Sequence, residues 1–241
     1  MISIIIPAYN AERTIKRCLE SIFAPTFRDF QIVVVDDGST DNTRKILQDF
    51  WRKFTDISSQ FTVIEQENRG AQAARNRGWA ECRMRNVACR MVLFCDADIV
   101  LRRDCLEKMV RALEEHPEAS YAYSSFKFGW KKFKLWPFDA ERLRRMPYIH
   151  TTSLIRAKDF PGFDERVKRL QDWDLWLTMM EQGHTGVWVS EVLFRVINPK
   201  GTMSQWMPAF AYRLPKWLGI QSRAVARYNE AVARIKEKHR L

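Results

Sequence analysis

The sequence predicts an α/β fold, a Rossmann-like and mainly parallel sheet with helices on both faces, extended by a basic aromatic insertion and a final helix. Two observations predict it. Short apolar runs alternate with segments whose apolar residues recur every three or four positions, the pattern of βαβ units. Polar clusters follow those runs directly, and parallel sheets bind ligands beyond the carboxyl ends of their strands.

Ile2–Pro7 is a continuous apolar run, as a strand buried on both faces should be. A helix follows, with Ile15, Cys18, Leu19 and Ile22 on one face. Phe30–Asp36 is a second buried strand; Ser39, Thr40 and Asp41 open the next helix, which turns Ile46, Leu47 and Phe50 inward. Phe61–Glu65 reads as a third strand, Gln72–Arg83 as a third helix, Met91–Cys95 as a fourth strand and Leu101–Glu115 as a fourth helix. Past residue 120 the alternation loosens. Tyr121–Trp130 and Thr151–Arg156 are expected strands around a basic aromatic stretch, Asp172–Gln182 a helix and Val187–Val189 a strand. Gln221–Arg240 is a basic amphipathic helix with Val225, Tyr228, Val232 and Ile235 on one side.

A chain of 241 residues suits one core with extensions, and a 46% hydrophobic content with 15 Phe and 9 Trp excludes a disordered protein. Its five cysteines, an odd and scattered set without a CxxC pair, are expected reduced, in a cytoplasmic compartment. The first residues lack a basic flank and read as a strand rather than a signal sequence. No stretch approaches the ~18 apolar residues that span a bilayer. The net charge of +11 is concentrated: residues 126–158 carry nine basic and two acidic side chains, and residues 213–241 carry eight and two. Such clustering suggests faces that meet an anionic partner, against the plainer alternative of a solvated basic surface.

Asp96-Ala97-Asp98 ends the fourth strand run, and ionised carboxylates at a core edge need partners. A hard cation, Mg²⁺ or Mn²⁺, suits them, since it binds one or two carboxylates and keeps positions open for substrate phosphates. Asp36-Asp37 follows the second run. It fits a turn or a helix N-terminus, and equally a nucleotide site in which a carboxylate accepts from a base or ribose while Tyr9 offers a stacking face. Neither G-x-G-x-x-G nor G-x-x-x-x-G-K-[ST] is present, which counts against a dinucleotide oxidoreductase or a P-loop NTPase.

The segments SIIIPAYNAERTIKRCLESI, QIVVVDDGSTDNT, NRGAQAARNRG, VLFCDAD and PGFDERVKRLQDWDLWL, in this order, resemble the family 2 glycosyltransferases of GT-A fold. The resemblance covers roughly residues 2–204, and it implies a GT-A domain over 1–204, with a nucleotide-binding half over 1–118 and an acceptor-binding half over 119–204, before a basic helical extension over 205–241. It also implies an inverting transfer of sugar from a nucleotide-diphosphate sugar, a UDP-sugar being favoured, to a glycan or lipid-linked acceptor. Pro7, Tyr9 and Asp37 match positions that hold base and ribose, with Glu12 beside them. Gly70 and Arg75 match the segment that closes over base and phosphates; Asp96, next to Ala97, matches a residue on the ribose or metal side, and Asp98 the direct metal ligand. Asp172 matches the general base, and the strand at His150–Ser153 borders the acceptor side, which places Thr152 and, from the helix beside it, Trp173 there; Trp176 is expected in the core. His150 and His184 are expected to be structural.

Two departures stand out. Gln171 replaces the Glu that precedes the base, and Ile197-Asn198 stand where many members carry a metal-side His. They motivate an alternative of another class, a non-catalytic carbohydrate- or membrane-binding module that kept the fold. A nucleotidyltransferase would need a glycine-rich basic loop after the first strand, which Ala8-Tyr9-Asn10-Ala11 is not. Residues 126–138 interleave lysines with aromatic rings, and with the last helix they predict peripheral attachment to an anionic membrane at its cytoplasmic face. Single-stranded nucleic acid suits the same interleaving, but no recognition motif accompanies it and the expected site is acidic.

Overall fold

A computed structural model describes residues 1–24, 27–53, 61–85, 89–197 and 223–241. Strands and helices alternate through the first half: β1 (Ile2–Ala8), α1 (Ile15–Phe23), β2 (Phe30–Asp36), α2 (Thr43–Lys53), β3 (Phe61–Glu65), α3 (Ala71–Met84) and β4 (Met91–Phe94). The second half holds β5 (Ile99–Leu101), α4 (Cys105–Glu115), β6 (Tyr121–Phe128), β7 (Lys131–Phe133), α5 (Ala140–Arg145), β8 (Leu154–Arg156), α6 (Gln171–Glu181), β9 (Gly186–Val196) and α7 (Arg223–Lys238).

Among the described residues the strands form one sheet of order β3-β2-β1-β4-β8-β6-β9-β5, with β7 paired to β6. β3, β2, β1 and β4 are mutually parallel. β8 is antiparallel to both β4 and β6, so β6 runs in the same direction as β4. The carboxyl ends of β1, β2, β3, β4 and β6 therefore share one edge of the sheet, and everything that follows those strands in the chain is gathered there.

The expected strands and helices of the first half stand within a residue or two. One expected helix starts late: Ile99–Leu101 is a strand paired to Val196–Phe194, and α4 begins only at Cys105. β-branched Ile99 and Val100 suit an extended ladder better than a helical turn. β9 is far longer than Val187–Val189, because Ser190 and Glu191 break the apolar run without breaking the pairing to β6; register shifts at Ser124 and Ser125 absorb the irregularity. β8 is shorter than Thr151–Arg156. The hydroxyl of Ser153 donates to the His150 carbonyl at 2.7 Å, a local bond that competes with the ladder.

The core is continuous from β1 to α6. β1 buries six of its seven residues at 1% exposure or less, as a central parallel strand should. α3 presses close to it at Gly78, where a Cβ would stand 2.6 Å from Cγ2 of Ile5. The five cysteines are free thiols, as expected. No helix of the described residues is long and apolar enough to cross a membrane. In α7, Val225 and Ile235 are buried and Val232 packs on the core, so the expected apolar side is the docked side. Asn198 and the expected domain boundary at residue 204 lie outside the described residues.

Candidate active site

Three loops meet at the shared edge. The one after β1 is tied to the one after β2: Asn10 N–H donates to Ser39 Oγ at 3.0 Å, Ala11 N–H to Thr43 Oγ1 at 2.7 Å and Glu12 N–H to Asp41 Oδ2 at 3.1 Å. The loop ahead of α3 is tied to Asp37, whose carboxylate accepts from Gln66 Nε2 at 2.7 Å, Arg69 N–H at 2.9 Å and Gly70 N–H at 2.8 Å. Gly70 sits at φ +94°, a left-handed conformation that glycine adopts without cost. A carboxylate has about four lone-pair directions, so Asp37 keeps roughly one for a ligand. Asp36 is fully buried and accepts from Ser39 N–H at 3.0 Å and Arg44 Nε at 3.3 Å, which makes it the turn residue of the pair. Glu12 spends its carboxylate on Asn42, at 2.9 Å from the amide side chain. Pro7 lies within β1, and Tyr9 stands 48% exposed with its ring open to solvent.

Arg75 is the centre of the charged cluster. It projects from α3 and is 2% exposed, with one Nη2 to Asp96 Oδ1 contact of 2.5 Å. Its guanidinium also lies over the Phe163 ring, 5.2 Å from the centroid. The remaining nitrogens, Nε and Nη1, are buried without a protein hydrogen-bond partner. Buried donors left unpaired cost about 1–3 kcal/mol each. α3 is placed here by the segment ahead of α6: Asn76 exchanges two 2.9 Å hydrogen bonds with the Phe163 backbone, and Gln72 donates to the Val167 carbonyl.

The other titratable groups sense one another around this guanidinium. Burial opposes ionisation of Asp96, but Arg75 and His150 outweigh it and hold the carboxyl below its usual range. The proton shifts instead to Asp98, which burial first and the Asp96 charge second push up to about 7. Asp98 is half-buried and has no cation partner among the described residues. Burial likewise raises Asp172, which feels both Arg75 and Asp96; its Oδ1 accepts from Trp173 N–H at 2.9 Å, an N-terminal helix bond. Asp96, Asp98 and Asp172, from two distant stretches of chain, thus share one electrostatic neighbourhood. His150, expected to be structural, joins it. Burial pushes its imidazole down to about 4, so the ring is neutral at pH 7; Nδ1 accepts from Thr152 N–H at 3.0 Å, which leaves Nε2 protonated as a donor. His184, by contrast, bonds Ser120 at 2.9 Å in a turn, a structural role as expected.

One acceptor-side expectation is corrected. Trp173 is 1% exposed and donates Nε1–H to the Leu143 carbonyl at 2.6 Å, so it is core, as Trp176 is. Five consecutive residues of α6, Trp173 through Leu177, are buried, and a helix buried nearly all round gives no apolar stripe from which to tell lining from core. Thr152 is fully buried, its hydroxyl without a partner. Ala97 is buried between the two carboxylates.

The residues fit a divalent cation only sparsely. Asp98 is a hard-oxygen ligand with no competing partner, whereas Asp96 is committed to Arg75, and no group of three potential ligands occurs among the described residues. An ion held here by Asp98 would have to take most of its oxygens from substrate and water, as Mg²⁺ and Mn²⁺ can at phosphate sites.

Residues 3–167 match the family model described as glycosyl transferase family 2. A putative teichuronic acid biosynthesis glycosyltransferase of Bacillus subtilis, TuaG, is 26% identical over 239 residues, covering 88% of this chain and 87% of its own. Two longer curated relatives are 36% and 28% identical, and the chain spans only 15% and 27% of their lengths. Among solved structures, residues 1–349 of Staphylococcus aureus TarS in complex with UDP-GlcNAc superpose with a TM-score of 0.69 at 18% identity, over 99% of this chain and 72% of that one. The mannosyltransferase PcManGT of Pyrobaculum calidifontis, in complex with GDP-Man and Mn²⁺, gives 0.65 at 20% identity, over 88% and 60%. These two likenesses carry the GT-A fold.

Proposed function

Since the chain belongs to glycosyl transferase family 2, we propose that it moves a sugar from a nucleotide-diphosphate sugar to an acceptor hydroxyl, with inversion at the anomeric carbon. The observation that carries this is the half-satisfied Arg75 guanidinium, with Asp96, Asp98 and Asp172 around it. Two buried nitrogens without a protein partner, Nε and Nη1, suit diphosphate oxygens, because charge-assisted bonds to phosphate are the strongest available to arginine.

Each group then has a task. Tyr9 offers its exposed face to the base, and Asp37, already braced by residues 66–70, offers its remaining lone pair to a base or ribose donor. Asp172 takes the proton of the acceptor hydroxyl. Burial raises its pKa, which makes it a stronger base than a surface carboxylate. The acceptor oxygen attacks the anomeric carbon from the face opposite the diphosphate; the carbon–oxygen bond to the diphosphate breaks, and its electron pair leaves with that group. Asp98 would hold the divalent cation, Mn²⁺ or Mg²⁺, which when bound supplies neutralising charge to the leaving diphosphate. A UDP-sugar is the favoured donor, and a glycan or lipid-linked acceptor of cell-envelope polysaccharide synthesis the favoured acceptor. TuaG supports the latter by its name, and the UDP-GlcNAc of TarS the former.

We place the protein at the cytoplasmic face of a membrane. The β6–β7 hairpin carries Trp130, 91% exposed, among Lys127, Lys131, Lys132 and Lys134, and it leaves β6 at the edge where the site lies.

The experiment is turnover with a panel of UDP- and GDP-sugars, read as nucleotide release with and without Mn²⁺. Turnover that needs Mn²⁺, is abolished in Asp98→Ala and falls about 10²–10⁴-fold in Asp172→Asn is the expected outcome. A folded protein that binds nucleotide yet turns over no donor, or an Asp172→Asn variant with full rate, favours the non-catalytic binding module instead.

A further inference from the structure

α6 carries two acids in its first turn, Asp172 and Asp174. Residues two apart on a helix point some 200° apart, so Asp174 faces away from the site, and it is 4% exposed. A carboxylate at that depth requires cations. Both come from the far end of α7: Lys238 Nζ lies 2.6 Å from Asp174 Oδ1, and His239 Nε2 lies 2.9 Å from the same oxygen. His239 is itself 7% exposed, and its Nδ1 meets Glu181 Oε1 at 2.8 Å in the last turn of α6. Lys238 reaches in addition to Asp164 Oδ2 at 3.0 Å, within the segment that leads into α6. Two consecutive side chains thus grip the approach, the start and the end of one helix.

The start needs gripping. Leu170, just ahead of Gln171 and Asp172, lies at φ +58° and ψ +36°, a left-handed conformation that residues with a side chain rarely adopt. Such strain persists only where the surroundings impose it. The Leu170 carbonyl accepts the Asp174 N–H at 3.0 Å, so whatever fixes Asp174 also fixes the strained residue that aims the turn.

We propose that Lys238 and His239 are positioning residues: through Asp174 and Asp164 they hold the turn that presents Asp172 to the Arg75 cluster. This rests on Asp172 being the base. An α7 that merely adds stability would not distinguish turnover from nucleotide binding, whereas a clamp on α6 does.

The test compares Lys238→Ala, Lys238→Arg and His239→Ala with the unaltered protein by three readouts: hydrogen–deuterium exchange of amides 170–176, binding of UDP with Mn²⁺, and turnover with the UDP- and GDP-sugar panel. In both Ala variants exchange over 170–176 accelerates while α3 is unchanged, UDP binding stays within about twofold, and kcat falls roughly tenfold or more, a loss that tenfold per 1.4 kcal/mol makes readily measurable. Lys238→Arg restores most of both. Unchanged exchange at 170–176 in both Ala variants overturns the clamp, whatever the activity, and so does a parallel loss of exchange protection in α3. If exchange loosens locally but Asp172→Asn retains full rate, the clamp stands as a helix anchor and the assignment of the base falls. A variant that fails to fold is replaced by Lys238→Met, which keeps the stem and removes the charge.

Discussion

At the residue scale the division of labour between Asp96 and Asp98 is set by one guanidinium. Arg75 is bonded to Asp96 and helps to keep it ionised, whereas burial first and the Asp96 charge second push the Asp98 carboxyl up to about 7, so that it holds its proton below that pH. A cation must displace that proton. Apparent Mn²⁺ affinity should therefore rise by up to about tenfold per pH unit as pH climbs toward 7, then level off; titration of the UDP complex at pH 6 and pH 8 checks it, and a flat profile would refute Asp98 as the ligand. The stability effect without metal has the opposite sense. A carboxyl with a raised folded pKa stabilises below its unfolded value, near 3.8, and that contribution is lost as pH rises through about 7. The DAD cluster was legible because its residues are adjacent. Arg75, 21 positions away, was legible only through family resemblance, and the inclusion of His150 was not legible at all. Nothing in Tyr-Ile-His-Thr-Thr distinguishes a packed imidazole from one whose Nδ1 is pinned by Thr152 beside an acid.

At the element scale the position of α3 matters most, since it brings Arg75 beneath the site and closes the Asp37 loop. Gly78 allows its approach to β1. Gly78→Ala gains helix propensity, by about 1 kcal/mol, yet forces a methyl against Ile5 and Val35. Overpacking of this kind typically costs about 1–3 kcal/mol. We expect a net loss, read as a melting temperature lower by a few degrees, with 2–4 °C per kcal/mol being usual at this size; an unchanged or raised value would mean that β1 yields easily. α6 shows where periodicity loses its meaning. With Trp173, Asp174, Leu175, Trp176 and Leu177 all buried, the helix reads alike from every side, and the partners of Asp174 lie 64 and 65 residues away at Lys238 and His239. Strands suffer similarly: β9 was recognisable only over Val187–Val189 because its pairing with β6, rather than its own composition, carries it past Glu191.

At the scale of the whole molecule, charge and topology act together. The basic hairpin and the site loops leave the sheet at the same edge because β6 runs with β4 through the antiparallel β8 between them. Binding to vesicles of anionic lipid should then be strong at low salt and weaken as salt rises, since exposed charges are screened within about 8 Å at physiological ionic strength. Trp130→Ala should reduce binding measurably, and Lys131→Glu with Lys132→Glu should abolish it without altering UDP affinity. A folded protein that fails to sediment with such vesicles at low salt would remove the membrane assignment. The α/β order and the parallel strands were legible from alternation alone. The direction of β6 was not, because it depends on β8, three residues whose pairing no local pattern announces.

That shared edge gives the protein a top and an underside. Resting on a charged bilayer by its lysine-studded finger, it would hold the open face of Tyr9 and the loops beyond the strand ends against the lipid headgroups rather than toward bulk water. A substrate tethered in that layer would then arrive by lateral drift in two dimensions, while a soluble nucleotide would have to slip in along the rim.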